Sequence, residues 1–281
     1  MMNKTHWNDL PQGVREAARE HVGNVTAAQT ISAGWNSAVT LAADTEAGRL
    51  FIKGIRLDST GQVAMLRREI AINPHVAHLS PELRFHVETD SWLIAGFDFI
   101  EGRRADYSPC SPDIPRVLEA IDVLTATPCP DITLKYADQL YSSQGDIDLM
   151  RRVSGDNLVH TDLTPANVLM TPNRVYLLDW ARPTRGTSWL DAVSITHFLI
   201  TCGHSPKDAE AISSQMRAWK NLGPGDLDAM VHNGSATRST WGLKHFDGDP
   251  WTNSSLEAAR RWWDYRRAHQ EQINHSAKTR S

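Results

Sequence analysis

The stretch "LVHTDLTPANVLMTPNRVYLLDW", residues 158–180, constrains this chain more than any other. "NVLM" and "VYLL" are apolar runs separated by Pro172-Asn173, a pair that turns the chain, so the stretch reads as strand, turn, strand. Asn167 precedes the first strand, Asp179 ends the second, and Asn173 lies midway between them. Residues equidistant from a hairpin turn face each other, so Asn167 and Asp179 are expected side by side at the open end. The loop carrying His160 and Asp162 enters at that same end. An amide oxygen and two carboxylates would then converge on one spot. Such hard oxygen donors suit Mg2+, which takes few protein ligands and completes its shell with phosphate oxygens and water. Asp and Asn also fill ordinary turns by capping backbone groups. The apolar run that brings Asp179 back favours the metal reading over the plain turn.

The rest of the chain splits into a β-rich part and a helical part. A helix is expected from Pro11 to Val22, with Val14, Ala17, Ala18 and Val22 on one face. "VTAAQTIS", "AVTLAAD" and "RLFIKGI" read as strands, with "AGWNS" (33–37) as a tight turn between the first two. A helix fits Gly61 to Ile72, ended by Pro74. "LRFHVET" and "SWLIAGF" read as an antiparallel pair joined through Asp90. The stretch 98–115, rich in Pro, Gly and charge, makes a hinge. Beyond it, Pro115–Thr127 suits a helix. "WLDAVSITHFLITCGH" is apolar nearly all round, as a buried helix is, and Gly203 stops it. "SPKDAEAISSQMRAW" opens with a Ser205–Asp208 capping pattern. A last helix, "SSLEAARRWWDYRRAHQ", takes its cap from Ser254 and Glu257.

Composition excludes several classes. A net charge of -4 gives no electrostatic case for nucleic acid. Cys110, Cys129 and Cys202 show neither metal spacing nor a disulfide framework, which points to the cytoplasm. The opening residues lack the apolar segment of a secretory signal, and no apolar run is long enough for a membrane helix. With 281 residues the chain is near the size at which one core divides into two.

"HTDLTPANVLM" fits the H-x-D-x-x-x-x-N catalytic loop of the protein-kinase-like superfamily, and "LLDW" fits its following metal-binding Asp. In form both resemble aminoglycoside phosphotransferases and related small-molecule kinases, over about residues 25 to 270. The resemblance implies an α+β, two-lobed protein-kinase-like fold. Residues 1–98 would form a small antiparallel-sheet N-lobe with one internal helix, clamping the nucleotide. Residues 99–281 would form a mostly helical C-lobe with the catalytic loop, metal site and acceptor pocket.

Site roles follow from the same resemblance. Asp162 matches the catalytic base, Asn167 and Asp179 the Mg2+ ligands, His160 a loop-bracing residue, and Asp191 the Asp that holds the loop backbone. A helix N-terminal carboxylate favoured by the dipole is the plainer reading of Asp191. Lys53, on an apolar strand, either snorkels to solvent or points into a cleft. Glu69, 16 residues on and in the one helix of the sheet region, matches the partner of the kinase Lys that holds the α- and β-phosphates of ATP. Glu46 is the competing partner. The turn at Gly34 lacks the full glycine-rich pattern, and Ser37 with nearby backbone N–H groups is left to meet phosphate. Phe97 aligns with the back wall of the nucleotide cleft, Asp98 C=O and Ile100 N–H with the adenine edge, and Leu169 with the floor under the base.

The acceptor implied is a small-molecule hydroxyl. Asp191 comes only 12 residues after Asp179, which leaves no room for a segment that presents a peptide, and Thr164 stands where protein kinases carry Lys. The last third mixes Asp226, Asp228, Asp247, Asp249 and Asp264 with Arg260, Arg261, Arg266 and Arg267, so no strongly acidic pocket for a polycation stands out. An aminoglycoside-type antibiotic, sugar or amino alcohol is the family-level expectation, with antibiotic resistance as the associated role. Trp219, Trp241, Trp251, Trp262 and Trp263 either line the acceptor pocket or pack the core. Two rivals are a non-catalytic nucleotide-binding pseudokinase and a metal-dependent phosphoesterase using His160 and the acids directly as ligands. The latter would need further His ligands in matching motifs; His204, His232 and His245 show no such pattern.

Overall fold

The computed structural model describes residues 4–31, 37–89, 91–141, 146–234 and 249–278. The expected turn at Gly34 and the joint at Asp90 lie outside these residues, as do Trp241, His245 and Asp247. The architecture is α+β. In chain order the elements are α1 (Gln12–Val22), β1 (Val25–Thr30), β2 (Val39–Thr45), β3 (Gly48–Arg56), α2 (Thr60–Val76), β4 (Leu83–Thr89), β5 (Trp92–Asp98) and β6 (Arg103–Arg104). Then come α3 (Asp113–Ala126), β7 (Lys135–Tyr136), α4 (Ala137–Tyr141), α5 (Ile147–Val153), β8 (Asn157–Val159), β9 (Val168–Met170), β10 (Val175–Leu177) and β11 (Thr184–Gly186). The chain finishes with α6 (Leu190–Thr201), α7 (Pro206–Ser213), a helical stretch at 226–234 (α8) and α9 (Pro250–Lys278).

Two compact units emerge. The first takes Met1–Arg103 with Pro130–Leu134 and Tyr176–Pro183; the second takes Arg104–Cys129, Lys135–Val175 and Thr184–Ser281.

The first unit is a five-stranded antiparallel sheet in the order β1-β2-β3-β5-β4. Alternation decides what each face carries, because successive side chains point to opposite sides of a strand. Leu41, Leu50, Ile52 and Ile94 share one face with Val14, Ala18 and Val22 of α1. Ile55, Leu93, Ala95 and Phe97 share the other with Val63 and Leu66 of α2. Lys53 pairs with Ala95 across β3 and β5 and so belongs to the α2 face. Gly96 lies under Phe85, where a Cβ would collide with the ring.

Pro74 does not end α2, as the sequence suggested; the helix runs on to Val76. Proline removes one hydrogen bond and crowds the carbonyl four residues back. Here the loss falls in the last turn, where burial of Ile72 and Val76 offsets it. Asn73 closes the exit by donating to the Pro81 C=O and accepting from the Leu83 N–H.

The second unit is built on α6, whose residues from Leu190 to Ile200 are buried apart from Ser194. Gly203, at φ 109°, stops it, and the His204 N–H turns back to the Leu199 C=O. Such a left-handed stop is where glycine carries no steric penalty. The Ser205 cap on Asp208 is present, but α7 ends at Ser213 rather than reaching Trp219. A 3-10 turn, Ala218–Asn221, follows. The last helix starts earlier than Ser254. Asp249 accepts from the Thr252 N–H and hydroxyl, and Pro250 takes the first helical position. Ser254 therefore lies inside the helix, because an Asp-Pro start satisfies the orphan amides one turn sooner. Arg266 on α9 pairs with Glu210 and Asp228, and Trp262 donates to Glu210. Among the tryptophans of this region, Trp262 is core, whereas Trp251 is exposed and lies beside Phe198.

The hairpin also departs from expectation. The Thr171 N–H donates to the Arg174 C=O, so the turn is centred between Pro172 and Asn173 and not on Asn173. The midpoint argument that matched 167 with 179 thereby loses its premise. Asp179 has in fact left the strand, with φ 62°.

Candidate functional site

In the first unit three charges meet. Val63, Leu66 and Glu69 fall at successive i, i+3 positions of α2, so Glu69 occupies a core-facing place that an apolar residue would otherwise fill. Opposite it, Lys53 Nζ donates to Glu69 Oε1 and Oε2 at 2.7 and 2.8 Å and to Asp179 Oδ1 at 3.5 Å. Glu46 is not its partner; it accepts from Asn24. Burial pushes the Lys53 ammonium down, but the charges of Glu69 and Asp179 outweigh this and hold it above its ordinary value. Burial also pushes the Glu69 carboxyl up, against the pull of Lys53 and of the Trp180 backbone N–H. A buried charge is tolerated only with such partners.

Asp179 differs from Lys53 and Glu69 in exposure. Its side chain is 39% exposed, against 15% for Lys53 and 9% for Glu69. It stands in the left-handed region that a non-glycine residue enters at a cost of about 1–3 kcal/mol. Trp180 follows it, buried, with its indole N–H on the Leu177 C=O. On the other side, Arg68 Nε donates to the Ala181 C=O. The Asp179 turn is thus held from both ends within the first unit. Trp180 and Arg68 were not singled out from sequence; the adjacency of Trp180 to Asp179 in "LLDW" was the available signal.

The remaining first-unit candidates are dispersed around the sheet. Phe97 is buried on the α2 face, its ring centroid 6.0 Å from Lys53 Nζ. Asp98 ends β5 with its carboxylate on Arg84, at 2.6 and 2.8 Å, and its N–H on the Glu82 C=O. Ile100 follows, half-buried. Ser37 is buried, and its C=O accepts from Lys4 at 2.6 Å.

In the second unit the loop 160–167 is held by backbone hydrogen bonds. Asp191, in the first turn of α6, accepts from the His160 and Thr161 N–H groups, both at 2.8 Å. Burial pushes its carboxyl up, against His160 and the two amides. Thr161 takes φ 68°, another left-handed non-glycine residue. His160 is 2% exposed and its Nδ1 accepts from the Asp162 N–H at 3.3 Å. Asn167 Nδ2 donates to the Asp162 C=O and to Asp162 Oδ2, at 2.9 and 3.0 Å. With the amide nitrogen engaged, the oxygen end of Asn167 is the end a cation could take. Leu169 is buried in β9. His204 is buried and donates from Nε2 to the Tyr107 C=O.

Chemically, the first unit offers a fixed cation beside a partly exposed carboxylate. The second offers a carboxylate, Asp162, steered by an amide and mounted on a pinned backbone. Asn167 oxygen and Asp179 carboxylate are the hard donors Mg2+ prefers.

The fold is one shared with solved small-molecule phosphotransferases. Macrolide 2'-phosphotransferase MphH from Brachybacterium faecium superposes with a TM-score of 0.57 at 17% identity, covering 89% of this chain and 98% of its own. Aminoglycoside phosphotransferase APH(4)-Ia, in a ternary complex with AMP-PNP and hygromycin B, gives 0.62 at 15% identity, with 89% and 99% covered. Choline kinase LicA from Streptococcus pneumoniae gives 0.61 at 10% identity, with 90% and 98% covered. No protein-family model and no curated protein sequence matches the chain. The likeness is one of fold: the chain shares the protein-kinase-like fold of these solved structures. Among the described residues, no helix is long and apolar enough to cross a membrane.

Proposed function

We propose that this protein is a small-molecule kinase that moves the γ-phosphoryl group of ATP to a hydroxyl. The observation that carries the reading is the buried Lys53 ammonium held by Glu69 and Asp179, since a buried cation with an exposed carboxylate beside it suits a nucleotide phosphate. In this reading residues 1–98 clamp the nucleotide, with Ser37 near phosphate and Phe97 and Asp98 beside adenine, and Ile100 and Leu169 from 99–281 also contact the base. Residues 99–281 carry the loop and the acceptor site. The acceptor oxygen attacks the γ-phosphorus, its proton passes to an Asp162 carboxylate oxygen, and the bond to the β-phosphate oxygen breaks, releasing ADP. Lys53 offsets charge on the α- and β-phosphates. Asn167 and Asp179 would hold Mg2+, which would supply further charge neutralisation. His160 and Asp191 keep the loop in shape.

The names of MphH and LicA and the named ligand of APH(4)-Ia suggest the acceptor panel: aminoglycosides, macrolides and amino alcohols. An antibiotic acceptor would make the chain a cytoplasmic resistance enzyme. The test is ATP consumption with Mg2+ across that panel. Asp162→Ala is expected to cut kcat by about 100-fold or more while nucleotide binding persists. A variant that keeps wild-type turnover removes Asp162 from the chemistry. Nucleotide binding without turnover on any acceptor would favour the pseudokinase.

A further inference from the structure

Tyr107 belongs to the segment between β6 and α3, in "ADYSPCSP", where nothing in the sequence marks it. In the second unit it is 1% exposed and sits among Ile114, Val117 and Leu118 of α3 and Ile195 and Leu199 of α6. Its hydroxyl donates to the Leu163 C=O at 3.1 Å. Leu163 is the residue after Asp162. The Tyr107 backbone oxygen, in turn, accepts from His204 Nε2 at 3.0 Å, and the His204 C=O accepts from Arg261 of α9 at 3.1 Å.

We infer that Tyr107 is a positioning residue for Asp162, acting through the Leu163 carbonyl. The inference rests on the phosphotransferase reading above. Asp191 fixes the amides of 160 and 161 on one side of Asp162, and Tyr107 fixes the carbonyl of 163 on the other. Both braces trace to α6: Asp191 stands in its first turn, and His204 follows its glycine stop. Pinned on both sides, the 162 backbone fixes where the side chain leaves the loop, and Asn167 Nδ2 holds the carboxylate. A donor buried in an apolar setting is costly to leave unmatched, so the Tyr107 hydroxyl is committed to this acceptor. Burial also raises its pKa, keeping the donating proton in place at working pH. Misplacing a catalytic group by about 1 Å costs on the order of 100-fold in rate, so the brace should register in turnover.

The test uses Tyr107→Phe, which keeps the ring packing and deletes only the donor. Thr196→Val serves as control: it deletes another fully buried hydroxyl, bonded to the Ala192 C=O at 2.8 Å, with no link to the loop. Turnover is read as Mg-ATP consumption with hygromycin B, a macrolide or choline, beside Asp162→Ala and thermal melts. Tyr107→Phe is expected to lower kcat about tenfold or more, with KM for ATP within about twofold and a Tm no lower than that of the control. Thr196→Val is expected to keep kcat. If Asp162→Ala abolishes turnover and Tyr107→Phe keeps wild-type kcat, the brace is overturned while the functional reading stands. If Tyr107→Phe loses kcat only as far as the control does, the role is structural and the inference fails. Full turnover in Asp162→Ala overturns the functional reading and the inference with it.

Discussion

The two units hold their chemical groups by different physics. In the first, charge holds charge: Lys53 is fixed by two carboxylates, and Glu69 is buried only because Lys53 is there. In the second, backbone holds charge: Asp191 is fixed by two amides, Asp162 by the Asn167 side chain, and the loop by neutral donors. A charge cluster responds to the loss of one member by leaving another uncompensated. An amide-held loop responds by changing shape. The first arrangement suits a site whose own charges must meet phosphate, the second a site where geometry decides the rate.

Breaking the charge cluster should give the largest stability effect. Lys53→Met leaves Glu69 buried with only the Trp180 N–H, and a cost of about 3–5 kcal/mol is expected. Glu69→Gln leaves Lys53 with Asp179 and should cost less, and the double variant Lys53→Met/Glu69→Gln should recover part of the loss. Denaturant melts of the three decide this; equal destabilisation in all of them would end the claim that charge is the holding force. Asp191→Asn sharpens the other side. It keeps one acceptor and orphans one buried amide, for a cost of about 1–3 kcal/mol together with a loss of kcat. Unchanged kcat at reduced stability would show that loop shape does not govern turnover.

A pH scan separates the two again. The folded-state pKa of Lys53 lies above its unfolded value, so its contribution is present up to about pH 10.4 and is lost as pH rises through the folded value. Wild type should therefore lose stability on the alkaline side more steeply than the double variant does. The smallest effect is expected at Asp249→Ala, where loss of the α9 cap should cost about 1 kcal/mol and leave turnover intact.

Much of the fold was legible because its signals are local. Short apolar and β-branched runs marked β2, β3, β4 and β5, and the all-apolar run marked α6. Lys53 stood out as a charge after three apolar residues on a strand, and Glu69 by its 16-residue spacing from Lys53, which resembles the kinase pair. The misreadings have equally local causes. Pro74 reads as a stop only if tertiary burial of Val76 is ignored. The cap of α9 was sought at Ser254, because the residues just before Asp249 carry no apolar period to extend the helix backwards. The hairpin midpoint missed because a two-residue turn places the centre between residues, which shifts the pairing by one.

By itself, the amino-acid sequence determined which residue types could serve phosphoryl transfer and where along the chain they stand: Lys53, Glu69, Asp162, Asn167, Asp179 and Asp191. Spacing and alternation are one-dimensional, and they survive in any tertiary arrangement. Only the tertiary structure decided who holds whom. That Glu69 rather than Glu46 meets Lys53, that Trp180 gives Glu69 its backbone donor, and that Tyr107 reaches the Leu163 carbonyl across 56 residues depends on packing at long separation. A hydrogen bond of that kind leaves no periodic trace, because its energy depends on geometry at about 3 Å and not on the neighbours in sequence.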